Sequence, residues 1–366
     1  MSTAPAVGTG ALADALWRAA TDGDEHAAVA LVRAARDGGL DEETLLLDVI
    51  AAVQARVGAE WAAGRLAVTR EHAATTVSER VISALAHDRP AAGGPGGPSA
   101  GRVAVACVDG EWHALPARLV AEVLRLRGRP VDFLGARTST AHLVSHLHRT
   151  GAEAVLLSGS LPTLLPAAHA AVTACQAVGV PVLVGGRAFG PDGRYAHALG
   201  ADGWAPDART AAAVLDRGLA LPDPAAARQA VDALPHLADQ EYTFVARSRS
   251  RLVRQTLAGL EERFPALRAY TGVQRERTAE DLAHIVDFLT AALYVDDPAL
   301  FSTFLCWTAD VLQARRVPAH SVVAGLGLLG ESLRDFPRAL RLLQAGSAAV
   351  TDHILPPDPG IDPAAA

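Results

Sequence analysis

The sequence predicts three consecutive units: a helical bundle, a doubly wound α/β domain and a second helical unit. Apolar residues recur at helical spacing through residues 10–89, and short apolar runs alternate with helical runs through 102–220. Helical spacing without strand signals returns in 236–355. Residues 90–101 form a Gly/Pro-rich stretch with no apolar side chain larger than alanine, so we expect a linker there. The tail, 356–366, is expected to be disordered.

The first unit is predicted to be a four-helix bundle. Four groups of apolar residues recur every three or four positions, beginning near Leu12, Val29, Leu45 and Val77. Asp22 and Asp41 are candidate N-caps of the second and third helices.

The second unit contains five short apolar runs separated by helical runs. The runs lie at residues 103–108, 130–134, 154–157, 180–184 and 202–204. Continuous apolar strands that alternate with helices are typical of a parallel sheet covered on both faces. The pattern predicts a flavodoxin-like sheet, whose ligands bind at the carboxyl ends of the strands.

Composition excludes several classes of protein. The formal charge is −7 and no dense basic stripe is present, which argues against direct nucleic-acid binding. The three widely spaced cysteines make no disulfide framework. No uninterrupted apolar run reaches the roughly 18–20 residues of a membrane span, and residues 1–10 lack the pattern of a signal peptide. We therefore expect a cytoplasmic protein without a membrane partner.

The loops that follow the predicted strands hold the informative polar residues. After the first strand, Glu111 precedes His113 by two positions. One imidazole nitrogen can bind a metal while the other donates to a carboxylate, which makes the pair a candidate metal site. The alternative is an ordinary polar histidine at a strand end. The third strand is followed by Ser158-Gly159-Ser160-Leu161 and the fourth by Gly185-Gly186, where a ligand can approach the backbone closely.

The order Glu-x-His, Ser-Gly, Gly-Gly resembles the cobalamin-binding domain of methionine synthase and its relatives. The first unit adds Val57-Gly58-x-x-Trp61-x-x-Gly64, followed by Glu71 and His72, which resembles the helical cap of that family. The resemblance covers about residues 10–220.

The resemblance implies a role for each of these residues. His113 binds cobalt from below in place of the cofactor's own base, Glu111 orients it, and Trp112 lies between them. The displaced nucleotide tail runs past Ser158, Gly159, Ser160 and Leu161 and past Gly185-Gly186. Trp61, with Glu71 and His72, covers the upper axial face. The alternative for Trp61 is an aromatic residue of the bundle core.

Two positions depart from the family pattern. The usual Asp-x-His-x-x-Gly is here Glu-x-His-x-x-Pro, ending at Pro116, and glutamate in first place resembles the light-sensing branch. The light-dependent carotenoid regulators of that branch carry a histidine just after the cap tryptophan, where this chain has Ala62.

The third unit is predicted to contain helices near 244–264, 279–293, 298–314 and 319–343. Cap, cobalamin domain and helical globin-like domain together resemble the photocobilins, photoreceptors that carry cobalamin and biliverdin. A bilin needs an aromatic pocket and donors for its propionates. The candidates are His284, Tyr294, Trp307, Cys306 and the arginines Arg247, Arg249, Arg251 and Arg254. The alternatives are ordinary packing and solvated helix residues in a dimerisation bundle.

From the resemblance we expect a photoreceptor in which light cleaves the cobalt–carbon bond of adenosylcobalamin and alters subunit or partner contacts, with biliverdin as a second chromophore. We expect a homo-oligomer and an output protein whose identity the sequence does not give. Two alternatives stay open: a corrinoid methyl carrier that serves a methyltransferase on another chain, and a cobalamin-dependent scaffold without light response. No nucleophile–base constellation indicates catalysis by this chain itself.

Overall fold

A computed structural model describes residues 8–89, 101–223 and 234–354. The chain divides into two compact units, Met1–Ala233 and Leu234–Ala366. The predicted tail and, apart from Gly101, the predicted linker lie outside the described residues. Among the helices of the described segments, none is both long and apolar enough to cross a membrane.

The first segment folds as the predicted four-helix bundle, here called the cap. Its elements are α1 (Thr9–Asp22), α2 (Glu25–Asp37), α3 (Glu42–Thr44), a π-helical turn (Leu45–Ile50), α4 (Ala51–Ala62) and α5 (Val68–Asp88). The chain runs helically from α3 through the π-helical turn into α4, so these count as one helix. Asp41 caps it by accepting from the backbone N of Glu43 at 2.9 Å. The other predicted cap is wrong: Asp22 ends α1, and Asp24 caps α2.

The second segment is an α/β domain with the predicted five parallel strands. The strands are β1 (Val103–Cys107), β2 (Val131–Gly135), β3 (Ala154–Ser158), β4 (Val182–Gly185) and β5 (Gly203–Ala205). The helices are α6 (Ala114–Leu126), α7 (Thr140–Thr150), α8 (Leu165–Ala177), α9 (Arg194–Ala198) and α10 (Ala208–Arg217). The spatial order β2-β1-β3-β4-β5 is that of a flavodoxin-like sheet. All five residues of β1 are buried, as expected for a strand covered on both faces.

Helices α6 and α10 pack against one face of the sheet. Apolar side chains of both helices form one core with strand residues such as Val105, Leu156 and Leu183. The outer side of α6 is also apolar: Leu115, Leu119 and Val123 are buried in the core of the cap. The cap and the α/β domain therefore share α6 as a common packing element.

The third segment is helical throughout its described residues, as predicted. Its helices are α11 (Glu241–Arg263), α12 (Gly272–Val295), α13 (Pro298–Ala314), α14 (His320–Ser332) and α15 (Pro337–Ile354), with 3₁₀ turns at Pro235–Asp239 and Pro265–Ala269. The predicted helix 319–343 is wrong in one respect, because it is two helices. Pro337 begins the second, since proline lacks a backbone N–H and disfavours helical conformation in the residue before it.

A partly buried polar network joins four elements of this segment. The Arg338 guanidinium donates to Asp239 at 2.6 and 2.9 Å and to the carbonyl oxygen of Leu293 at 2.8 Å. The buried carboxylate of Glu241 accepts from the backbone N of Arg338 at 3.1 Å and of Ala339 at 2.8 Å, at the start of α15. The network fixes the first 3₁₀ turn and the ends of α11, α12 and α15 relative to one another.

Candidate functional site

The loop between β1 and α6 brings a carboxylate and an imidazole together. Gly110 has φ +88°, a left-handed conformation that favours glycine, and it closes a turn in which the backbone N of Glu111 donates to the carbonyl oxygen of Val108 at 2.8 Å. The chain then enters α6 with His113 as the N-cap residue. As a result the Glu111 side chain is buried, whereas the His113 side chain remains partly exposed.

Glu111 is a buried carboxylate whose two oxygens accept hydrogen bonds from two loops, an arrangement here called the clasp. Its Oε1 accepts from the backbone N of Trp112 at 2.9 Å, from the backbone N of His113 at 3.0 Å and from the imidazole, with Nδ1 at 2.6 Å. Its Oε2 accepts from the backbone N of Ser160 at 2.7 Å and of Leu161 at 3.3 Å, in the loop after β3. Burial opposes ionisation, but the bonds from His113 and Ser160 outweigh it and lower the pKa of Glu111 to about 2.

The clasp determines which nitrogen His113 can offer to a ligand. An ionised carboxylate only accepts hydrogen bonds, so the imidazole proton must lie on Nδ1. Nε2 then carries the lone pair, on a side chain that is 34% exposed. Glutamate in place of the usual aspartate is thus compatible with an oriented histidine, because the longer side chain also reaches the loop after β3.

Trp112 lies beside the histidine rather than in a core. Its ring stacks on the imidazole of His113 with centroids 3.8 Å apart and an interplanar angle of 30°. Trp112 is 58% exposed, which is unusual for so large an apolar residue. The stack restricts rotation of the imidazole and adds an apolar surface at the mouth of the sheet.

The glycines after β3 and β4 allow backbone segments to approach each other. A Cβ at Gly185 would lie 2.8 Å from the carbonyl oxygen of Ala205, and one at Gly186, where φ is +100°, would overlap the carbonyl oxygen of Gly159. From their positions in the sequence, these glycines are predicted to let a ligand approach the backbone closely. The structure gives a second reason for glycine at these positions, because the ends of β3, β4 and β5 approach each other here.

A cavity of about 210 Å³ opens on the α6/α10 face of the sheet, next to these loops. Its lining includes Ser158 and Gly186 at the strand ends and Pro116, three residues after His113. The rest is mainly aliphatic and comes from strands, helices and cap, for example from Leu47, Val105, Val120, Leu156, Leu183 and Ala211. Sequence reasoning missed these residues because their side chains are indistinguishable from those of an ordinary core.

The three cap residues named from the sequence lie near the junction of α4 and α5. Trp61 is partly buried and packs against the core of the cap. Glu71 is in the first turn of α5, where its Oε1 accepts from the Thr75 hydroxyl at 3.3 Å. His72 has a side chain that is 62% exposed, with Nε2 3.3 Å from Oε2 of Glu71. The cap residues that line the cavity are instead Leu47 and Ala51.

Arginine ion pairs hold the cap on the α/β domain. Arg209, in the first turn of α10, donates to both oxygens of Asp48 in the π-helical turn at 3.0 and 2.7 Å. Arg127, after α6, donates to both oxygens of Glu43 at 3.1 and 3.0 Å. These pairs flank the shared core along α6, so the cap is fixed by both apolar and ionic contacts.

The C-terminal candidates fall in different surroundings. Tyr294 lies edge-on to Tyr242 with ring centroids 4.9 Å apart, and burial raises the pKa of Tyr294 to about 12. His284 is exposed on the same helix, ten residues or about 15 Å earlier. Trp307 is 44% exposed and borders Phe304.

The arginines of α11 are mostly exposed. Arg249 forms a double hydrogen bond with Asp287 at 2.6 and 2.8 Å, and Arg251 lies 5.3 Å from the centroid of the Phe244 ring. Arg247 and Arg254 also lie on the exposed side of this helix. Cys306 is half-buried and directs its thiol to the carbonyl oxygen of Ala349 at 3.7 Å.

The fold and the loop geometry define a class of protein: a doubly wound domain that presents one oriented imidazole nitrogen beside an apolar cavity, beneath a helical cap. Comparison with known families agrees. Two family models, each described as a B12 binding domain, match residues 12–86 and residues 101–213. Together they take in just over half of the chain. The chain therefore belongs to the B12-binding domain family, and it binds cobalamin.

Three solved structures align with part of this chain at low identity. The monomethylamine corrinoid protein of Methanosarcina barkeri aligns at 18% identity and TM-score 0.48, over 57% of this chain and 100% of that one. The methanol:cobalamin methyltransferase complex of the same organism aligns at 19% identity and TM-score 0.30, over 56% and 78%. A cobalamin-binding protein from Desulfitobacterium hafniense DCB-2 aligns at 20% identity and TM-score 0.30, over 56% and 97%. No curated protein sequence matches the chain.

The residues at this site fit a corrin-bound cobalt. The corrin supplies the equatorial nitrogens, so the protein has to contribute only one neutral nitrogen, and His113 offers Nε2. The described residues contain no group of three or more His, Cys, Asp or Glu side chains placed to hold a bare metal ion. An apolar cavity lies near His113.

Proposed function

We propose that the chain is a cobalamin-based light sensor in which His113 is the lower cobalt ligand. When bound, adenosylcobalamin supplies a cobalt–carbon bond that visible light breaks. Glu111 keeps the proton of His113 on Nδ1 and so keeps Nε2 available to cobalt. Trp61, Glu71 and His72 are proposed to cover the upper face from the cap.

The observation that carries this proposal is the position of α6. Its N-cap residue is His113, and Leu115, Leu119 and Val123 on the same helix are buried in the core of the cap. Because a helix is a rigid element, a shift of the imidazole at the start of α6 would be transmitted through α6 to its interface with the cap. A sensor needs such a connection between its cofactor and a surface that can change, whereas a passive carrier does not require it.

We extend the proposal to biliverdin as a second chromophore in the C-terminal unit. It is supported by the half-buried aromatic pair Tyr242 and Tyr294 and by the exposed arginines of α11, Arg247, Arg251 and Arg254. Aromatic surfaces and guanidinium groups are the chemistry that a bilin ring system and its propionates require. His284 and Trp307 are assigned to the margin of such a site, since both are exposed.

The test is a comparison of dark and illuminated samples of the full chain loaded with adenosylcobalamin and biliverdin. Absorption spectra report the chromophores, and hydrogen exchange of residues 45–50 and 114–126 reports contact between cap and α6. We expect a light-dependent change in the cobalamin bands together with faster exchange in both segments. The matched control is a sample loaded with cyanocobalamin, which has no alkyl group to lose.

Each other outcome points to a different function. Unchanged exchange after complete spectral conversion contradicts the sensor. Transfer of a methyl group from methylcobalamin-loaded protein to a purified methyltransferase would instead establish the corrinoid carrier. Absence of both responses leaves the cobalamin-dependent scaffold. A bound cobalamin without a long-wavelength bilin band removes the second chromophore only.

A further inference from the structure

Helix α13 carries almost no charge on the side that it presents to solvent. Between Pro298 and Ala314 the single charged residue is Asp310, whose carboxylate is hydrogen-bonded to Nε2 of His353 in α15 at 2.7 Å. The exposed positions of the helix are Ala299, Thr303, Trp307, Asp310, Gln313 and Ala314. A helix whose outer side faces water normally has charged residues there. The composition of α13 therefore indicates that another molecule covers this side.

The uncharged side of the helix is centred on a tryptophan. Six residues, here called the α13 face, are spaced by three or four positions and so share one side of the helix: Ala299, Thr303, Phe304, Trp307, Val311 and Ala314. Trp307, in the middle, is 44% exposed, and its ring centroid is 6.2 Å from that of Phe304. The Phe304 ring in turn stacks on Phe288 of α12 with centroids 3.6 Å apart. An exposed aromatic band of this kind is typical of a protein–protein interface.

The charges that border the α13 face have opposite signs at its two ends. Asp296 and Asp297 come directly before the helix, and Arg315 and Arg316 come directly after it. A second α13 packed in parallel would bring like charges together, which opposes association. A second α13 packed antiparallel would bring the acidic end of each helix beside the basic end of the other. The charges of the face are thus complementary to a copy of the same face.

A twofold axis beside Trp307 gives this antiparallel pair a consistent register. The Trp307 rings of the two copies then meet at the axis, and Ala299 of each copy lies opposite Arg315 of the other. The small side chains of Ala299, Thr303 and Ala314 on either side of Trp307 allow the helices to approach to the usual distance of about 8–10 Å. Both copies use the same residues, as a twofold interface requires.

We propose that the α13 face binds the same face of a second copy of this chain, as an antiparallel helix pair with Trp307 at the twofold axis. The proposal gives the expected homo-oligomer an interface, and it depends neither on cobalt ligation nor on light. A contact centred on one helix pair is small for a specific interface, so we expect dissociation at roughly micromolar concentration.

The experiment measures the mass of the full chain in solution. Sedimentation velocity would be recorded in the dark on protein diluted from high to low micromolar concentration. We expect a shift from dimer to monomer on dilution. A monomer at every concentration would overturn the inference. It would leave the proposed function intact, because that function is tested by the spectra of bound chromophores.

A charge at the centre of the face tests its location. Trp307→Glu removes the aromatic anchor and places two negative charges at the axis, so it should weaken dimerisation at least about thirtyfold. The control is Ala258→Glu, which adds the same charge at an exposed position of α11 and should leave the dimer unchanged. The urea midpoint shows that each variant is folded. A dimer that persists in folded Trp307→Glu would overturn the inference.

Two further variants test the direction of the pair without removing the aromatic residue. Ala314→Glu places a negative charge near the acidic end of the other copy and should weaken the dimer several-fold. Ala299→Glu places the same charge opposite Arg315 of the other copy, so it should leave the dimer at least as tight as in the parent. A parallel pair would reverse the two effects, and that result would contradict the proposed arrangement.

Biliverdin is the competing occupant of this surface, because the proposed function places Trp307 at the margin of a bilin site. Titration with biliverdin would be followed by Trp307 fluorescence, taken as the difference between the parent and Trp307→Phe. A chain that remains monomeric while biliverdin quenches Trp307 would assign the surface to the bilin and overturn the inference. A dimer that keeps its dissociation constant in the presence of biliverdin would support it.

Discussion

Replacing Glu111 by glutamine removes the charge at the centre of the loop clasp while keeping the size of the side chain. Every partner of the carboxylate donates: the backbone N atoms of Trp112, His113, Ser160 and Leu161, and the imidazole Nδ1. An amide has one oxygen and one NH₂ group. Glutamine therefore has to direct N–H groups at one of the two sets of donors and leave that set unsatisfied.

The size of the effect follows from two arguments. Each buried donor that loses its acceptor costs about 1–3 kcal/mol. The same hydrogen bonds lower the pKa of Glu111 from 4.5 to about 2, which corresponds to about 3 kcal/mol in favour of the ionised folded state. We therefore expect Glu111→Gln to lower the free energy of unfolding of the cofactor-free chain by about 2–4 kcal/mol.

Two measurements test this expectation. The first is the urea midpoint for unfolding of the N-terminal unit, and the second is hydrogen exchange in segments 109–116 and 158–163 of the folded protein. Both segments should exchange faster in Glu111→Gln, because the carboxylate is the bond between them. The control is Glu60→Gln, which breaks a surface pair with Arg65 and should leave both segments and the unfolding midpoint near those of the parent. If Glu111→Gln behaves like Glu60→Gln, the clasp does not hold the site and the argument is refuted.

Three further predictions concern acid, the cap and the C-terminal unit. Because the pKa of Glu111 is depressed in the folded state, the stability that its ionised carboxylate contributes is complete above about pH 5 and is lost as the pH falls toward 2. The urea midpoint should therefore drop more steeply in acid for the parent than for Glu111→Gln. Equal slopes would contradict this pH dependence. Arg209→Gln removes an exposed ion pair with Asp48, so the free energy of unfolding should change by less than about 1 kcal/mol. Hydrogen exchange in residues 45–50 should nevertheless accelerate. Unchanged exchange there would mean that Arg209 does not hold the cap. Arg338→Met removes a guanidinium that is 9% exposed and leaves the carbonyl oxygen of Leu293 without this donor, whereas Asp239 is 36% exposed and stays solvated. The C-terminal unit should therefore lose about 1–3 kcal/mol in urea unfolding followed by Trp307 fluorescence.

Matched arginines serve as controls for the last two variants. Arg194 forms a surface pair with Asp192 at 3.5 Å, and Arg194→Gln should leave exchange in the cap unchanged. Arg341 shares Asp296 with Arg338 and is 57% exposed, so Arg341→Met should have a much smaller effect. Equal destabilisation by Arg338→Met and Arg341→Met would mean that burial of the guanidinium does not matter.

The strands and most helices could be predicted because the spacing of apolar residues indicates which positions are buried. The fully buried run Val103–Cys107 reads as a strand covered on both faces, and it is one. Helix ends are less visible, because apolar spacing continues across a break: Leu333, Ala339 and Leu342 are all buried although the helix stops before Pro337.

The site was predictable only where side chains carry the signal. The spacing of Glu111 and His113 indicated that their side chains meet, and they do, but the backbone N of Ser160, which also donates to Glu111, has no signature in the sequence. The exposure of His284 agrees with the alternative of a solvated helix residue, since Leu282, Ile285 and Leu289 form the buried stripe of that helix and leave His284 on another side.

The most direct test of the account is whether the nitrogen on cobalt belongs to His113. The full chain loaded with cob(II)alamin would be studied by electron paramagnetic resonance, once with natural nitrogen and once with ¹⁵N-labelled histidine. We predict that the nitrogen splitting changes from a triplet to a doublet on labelling and disappears in His113→Ala. A triplet that survives labelling would mean that the cofactor keeps its own base on cobalt, and it would contradict the role assigned to His113 and its clasp.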